Sequence, residues 1–90
     1  MMNEAKKAIF NDMTVVLLMG KKIPVDNIYA INQTGEIIWR IGDIIKLPKP
    51  EAYVALSKIS SREIRVISSS GILYVIDVFA KKIVSKQIVK

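Results

Sequence analysis

At 90 residues, 51% of them apolar, the chain is long enough for one domain with a modest core and too apolar for a disordered tail. It contains neither cysteine nor histidine, which removes disulfides, thiolate nucleophiles, Cys-ligated metals and the Ser-His-Asp and Cys-His catalytic arrangements. A net charge of +6 favours anionic partners, and the excess is uneven: after Asp77 come Lys81, Lys82, Lys86 and Lys90 with no further acid.

The apolar run behind the basic pair near the N-terminus is only Ala8-Ile9-Phe10, shorter than a secretory core, and Met13–Met19 is shorter than a membrane span. These features, with the lack of cysteine, lead us to expect a cytoplasmic protein with no membrane contact. Ala5–Phe10 reads as a short strand, with a frayed helical turn as the other option. Thr14–Met19 is a β-branched apolar run ending at Gly20, a buried strand. The loop Gly20–Asp26 follows, with Pro24 unable to donate to a ladder.

Asn27–Ile41 is the clearest hairpin in the chain. The runs IYAI and EIIWRI flank Asn32-Gln33-Thr34-Gly35, where Asn tolerates and Gly supplies a positive φ. The sequon Asn32-Gln33-Thr34 is read as turn chemistry and not as a glycan site. Alternation predicts that Ile37, Trp39 and Ile41 face the core, and Glu36, Ile38 and Arg40 face away. Gly42-Asp43 begins a single helical turn with Asp43 as its cap, and Pro48 and Pro50 then keep the chain extended. Four more strands are expected: Tyr53–Ile59, Glu63–Ser68, Ile72–Val78 and Lys82–Val89. Ile64 and Val66 point inward, Ile72–Val78 is central and covered on both faces, and the last strand is a charged edge.

These elements predict an all-β protein: seven to eight short antiparallel strands in a meander, forming a small barrel or sandwich. It is a single domain of two loosely related halves, 8–41 and 52–90, joined by the Pro-containing connection 42–51. IYAIN at 28–32 aligns with LYVID at 73–77, matching Tyr29 to Tyr74 and Asn32 to Asp77. Tyr29 and Tyr74 are expected at the rim of the core with wet hydroxyls, and Asp77 at a strand end bonding to turn amides.

The run NIYAINQTGEIIWRI resembles the blade motif of quinoprotein-type β-propellers, with Thr34, Gly35 and Trp39 in the motif's places and Asn32 where Asp is commoner. The likeness covers about fifteen residues, and 72–89 echoes it. It implies blade-like hairpins; a propeller needs at least four blades, so no quinone-cofactor or calcium residues are carried over. In size and composition the chain also resembles small cytosolic bacterial proteins such as toxin-immunity proteins.

Catalytic patterns are missing. The eight carboxylates are spread evenly, the four glycines form no phosphate-binding motif, and adjacent Ser57-Lys58 and Ser85-Lys86 point to opposite faces of a strand. We therefore read the chain as non-enzymatic, without cofactor or metal. Trp39 is taken as a core anchor ahead of a base-stacking residue. Tyr53, beside the proline segment, is expected to be exposed, and with Arg62, Arg65, Lys81, Lys82 and Lys86 forms the candidate partner-binding set. The leading expectation is a small β module that binds a protein partner, in a toxin-neutralising or regulatory role. A nucleic-acid-binding barrel using the basic patch is the alternative, and a structural blade-like module that self-associates is the third.

Overall fold

The structure is a computed structural model that describes residues 3–88, so Val89, the end of the expected last strand, lies outside the described residues. Two four-stranded antiparallel meanders make up the fold. Sheet 1 holds β1 (Asn3–Phe10), β2 (Met13–Met19), β3 (Ile28–Asn32) and β4 (Ile37–Arg40), in that order. After one helical turn, α1 (Ile41–Ile44), sheet 2 holds β5 (Tyr53–Lys58), β6 (Glu63–Ser68), β7 (Ile72–Asp77) and β8 (Lys82–Ile88). Neither sheet closes, so of the two architectures expected the sandwich stands and the barrel does not.

One face of each sheet supplies a shared core. Ala8, Phe10, Val15, Leu17, Ile28, Ala30 and Trp39 come from sheet 1, and Tyr53, Leu56, Ile64, Val66, Tyr74 and Ile76 from sheet 2. The period of two decides this: on β2, β6 and β7 alternate residues are buried while their neighbours are half-buried or exposed, apart from Val16. The backbones of the two sheets approach most closely where β5 passes β1 and β2. Towards β4 and β8 they splay apart, and every residue of β8 is exposed.

Bulges overturn two expectations about facing. Between the Ala30–Trp39 and Ile31–Ile37 pairs the ladder carries an extra residue, Ile38. The extra residue turns Ile37 out of the core, where it is exposed, while Trp39 remains buried. Val54 is likewise extra between the Tyr53–Ser68 and Ala55–Ile67 pairs, and Tyr53 points inward and is fully buried, contrary to its expected exposure. Its ring meets that of Tyr74 edge to face at 6.5 Å. Tyr74 is also a core residue, not a rim residue: its hydroxyl is buried and, like that of Tyr53, has no hydrogen-bond partner. Burial raises both phenol pKa values.

Two further corrections are local. Strand β7 is interior to its sheet but covered on one face only, because Tyr74 and Ile76 are buried whereas Leu73 and Val75 are half-buried. The helical turn begins one residue earlier than expected, so Asp43 is not its N-cap; from the third helical position its carboxylate accepts the Arg40 amide at 3.0 Å.

The end of the sandwich that holds the 20–27 loop and the proline connection is clasped by polar bonds. Asn27, buried, donates from Nδ2 to the carbonyls of Leu18 and Tyr53, both at 2.8 Å, and accepts the Tyr53 amide at 2.7 Å. One side chain therefore ties β2 of sheet 1 to β5 of sheet 2. Beside it the Asp26 amide donates to the Glu51 carbonyl, and the Glu51 carboxylate accepts the Ser70 amide and the Ser69 and Ser70 hydroxyls. Asp26 holds a left-handed φ of 51°. Burial and the nearby Asp43 raise its pKa.

Candidate functional site

Four hairpin turns, at 11–12, 33–36, 59–62 and 78–81, lie at the opposite end. Gln33 Nε2 donates to Asp12 Oδ1 at 3.0 Å, joining the two turns of sheet 1, and the Val78 amide donates to the Arg62 carbonyl, joining the two of sheet 2. Across the sheets, the Phe10 and Phe79 rings meet edge to face at 5.9 Å. Lys58 Nζ donates to the Ile9 carbonyl at 2.7 Å and lies 4.5 Å from the Phe10 ring centre. Lys58 was not singled out from the sequence, although its spacing from Leu56 places it on the core face at a strand end.

The two long turns are built alike. Asn32 Oδ1 accepts the amides of Thr34 and Glu36, and Asp77 Oδ1 accepts those of Phe79 and Ala80. Each turn then needs a left-handed residue. In the first it is Gly35, with φ 87°; in the second, one residue longer, it is Lys81, with φ 57°. The Asp77 carboxylate also receives a two-pronged hydrogen bond from Arg62, at 3.0 and 3.3 Å. The Ala80 amide first, then Arg62, lowers the Asp77 pKa. Hydrogen bonds from Asn32 and Thr34 do the same for Glu36. The Arg62 guanidinium lies 5.4 Å from the Phe79 ring centre.

Where the sheets splay, these turns enclose a crevice of about 270 Å3 with an almost wholly apolar lining. Met13, Ile38 and Trp39 line it from sheet 1, and Val78 and Phe79 from sheet 2, with Asp12, Asn32 and Lys81 polar among them. Ile38 and Phe79 are 41% and 44% exposed, large apolar groups held open to solvent. Trp39 is buried, and its Nε1–H has no acceptor. A broader groove of about 560 Å3 at the clasped end, lined by Val25, Pro50, Ala52 and the polar Lys49, Glu51 and Ser69, is more polar.

The candidate set is thus only partly gathered. Lys81 lines the crevice, Lys82 follows it, and Arg62 lies over Phe79. Arg65 pairs with Val75 on the outer face of sheet 2, whereas Lys86 pairs with Tyr74 on the inner side, its Nζ 6.0 Å from the ring centre. Arg65 and Lys86 therefore do not share a face. Tyr53 is buried at the far end, away from all of them. Alternation already turned Ile38 away from the core, but neither it nor Phe79 was named as a binding residue, because only the packing of the two sheets brings them to one crevice.

Among the described residues no three His, Cys, Asp or Glu side chains gather as a metal site, and no helix is long and apolar enough to cross a membrane. The fold defines an all-β protein of two stacked four-stranded meanders. No protein-family model, curated protein or solved structure matched the chain.

Proposed function

We propose that the protein is a non-catalytic cytoplasmic module that binds a protein partner at its hairpin-turn end. The observation that supports this is the apolar crevice, open between the sheets, with Lys81, Asp12 and Asn32 as its polar lining. A partner inserts one large apolar side chain between Ile38, Trp39 and Phe79, and an acidic neighbour meets Lys81 and Lys82. Such an anchor-in-pocket arrangement concentrates binding energy in a few side chains. A toxin-neutralising or regulatory role fits the same mode of action, and a toxin-like reading frame beside the gene is the observation that would favour it.

Trp39 is the chain's only tryptophan and reports the site directly. Peptides selected against the protein from a random library should carry an apolar residue next to an acid. They should change Trp39 fluorescence, and they should lose affinity about tenfold or more for Ile38→Asp and Phe79→Asp. Selected peptides that are indifferent to both variants would sink the proposal. Tight binding of single-stranded oligonucleotides that weakens steeply with salt would instead favour the nucleic-acid reading.

A further inference from the structure

The two sheets are related by register, yet unlike faces meet. In sheet 1 the β2–β3 pairs run Thr14–Ile31, Val15–Ala30, Val16–Tyr29, Leu17–Ile28; in sheet 2 the β6–β7 pairs run Ile64–Ile76, Arg65–Val75, Val66–Tyr74, Ile67–Leu73. Aligning 28–32 with 73–77 makes these pairs equivalent one by one. The β3–β4 and β7–β8 ladders extend the equivalence, because the extra residues Ile38 and Val84 fall at the same step, between Ala30 and Ile31 and between Val75 and Ile76. Sheet 1 buries Val15, Leu17, Ile28 and Ala30 against its neighbour, whereas sheet 2 buries Ile64, Val66, Tyr74 and Ile76. The buried set of sheet 2 corresponds to Thr14, Val16, Tyr29 and Ile31, which lie on the outer face of sheet 1. The front of one sheet therefore packs on the back of the next.

A front-to-back contact, unlike a front-to-front one, leaves both complementary faces unused at the two ends of the stack. The free face of sheet 1 is equivalent to the face sheet 2 already buries, and the free face of sheet 2 to the face sheet 1 already buries. Both carry apolar groups, with Lys7 and Arg40 flanking Val16 and Tyr29 on the first and Arg65 between Ser57 and Val75 on the second. Thr14 and Ile31 continue to Ile9, 66% exposed, and Ile37, 46% exposed; Ile67, Leu73 and Val75 occupy the other face. Strands apolar on both sides belong to sheets covered on both sides.

We infer that a second copy of this chain covers these faces, its sheet 1 docking on the outer face of sheet 2 and repeating the contact made within each chain. Arg65, between Ser57 and Val75 on an interior strand, lies within that interface with its stem along it. Because the sheets are closest at β1 and β5 and splay towards β8, each step adds a rotation in the same sense. The series closes into a ring of a few copies, with β8 and the crevice on its outside. This inference uses different residues from the partner-binding proposal and stands or falls separately.

Sedimentation velocity from about 1 µM to 1 mM tests it, a range that covers ordinary self-association. The wild-type chain should reach one discrete mass that is a multiple of 10.1 kDa. Ile31→Lys blocks the free face of sheet 1 and Val75→Lys that of sheet 2, and each variant alone should be monomeric at about 100-fold higher concentration than the wild-type midpoint. Mixed in equal amounts, they retain one good face each and should form a 1:1 dimer that grows no further. The more exposed Ile9→Lys and the half-buried Ser57→Lys serve as a second pair if either first variant unfolds. A monomeric wild type, a single variant that still associates, or a mixture that stays monomeric would overturn the inference.

Discussion

The two ends of the sandwich solve the same problem in opposite ways. At one end Asn27 and Glu51 close the sheets with buried or shared polar bonds, and the chain there is specified by partners far away in sequence. At the other, the two long turns satisfy their own amides through Asn32 and Asp77, and apolar side chains between the turns stay uncovered. The clasp joins the sheets at one end and the Phe10–Phe79 and Lys58–Ile9 contacts join them at the other, so the sheets splay only towards β4 and β8. Polar bonds close one end, and large apolar side chains stand uncovered at the other.

Breaking the clasp should have the largest effect. Asn27→Leu strands the Leu18 and Tyr53 carbonyls and the Tyr53 amide, and is expected to cost about 3 kcal/mol, read as a lower urea midpoint. Asn27→Asp, which sets a carboxylate oxygen against two carbonyls, should be no better. At the turn end, changes of backbone should be smaller, and the two long turns should respond with opposite signs. Gly35→Ala forces a Cβ into a left-handed residue with open space around it, so the cost of about 1 kcal/mol is conformational alone. Lys81→Gly relieves the same strain in the second turn and should stabilise by about 0.5 kcal/mol while weakening selected acidic peptides.

Phe79→Ala separates the ends most cleanly. It should move the unfolding free energy by less than about 1 kcal/mol, because the ring is half-exposed, and still abolish binding to the crevice.

The smallest effect is on pH dependence. Asp77 and Glu36 have lowered pKa values in the folded state, so the stability they contribute is present above the unfolded carboxylate range. It should be lost as pH falls below about 4, through their folded values. Asp77→Asn keeps an acceptor for the turn amides but not the ion pair with Arg62, and thermal unfolding should show a shallower acid loss than the wild type. Asp26, with its pKa raised, acts in the opposite sense, and Asp26→Asn should raise stability at neutral pH.

Much of this was legible from residues alone. Alternating β-branched runs separated by Asn, Gly, Ser and Pro located all eight strands, and the Asn32 and Asp77 turns followed from side-chain acceptors that reach only two to four residues. The echo of 28–32 in 73–77 was visible too, and it carries a shared bulge that no spacing announced. The site was less legible: Lys81, Lys82 and Arg62 were named, but Ile38 and Phe79 were not, and Tyr53 was placed on the wrong side of the surface.

The division follows from the range of the forces. Strand periodicity, turn chemistry and the all-β class depend on neighbours along the chain, and the sequence alone determined them. Which face of each sheet is buried, where a bulge reverses the alternation and which Asn is a clasp depend on contacts between residues tens of positions apart. Asn27 meets Tyr53 across 26 residues, and Lys58 meets Ile9 across 49. Only the packing of one sheet's front on the other's back decided those, because a face has no inside until a second sheet covers it.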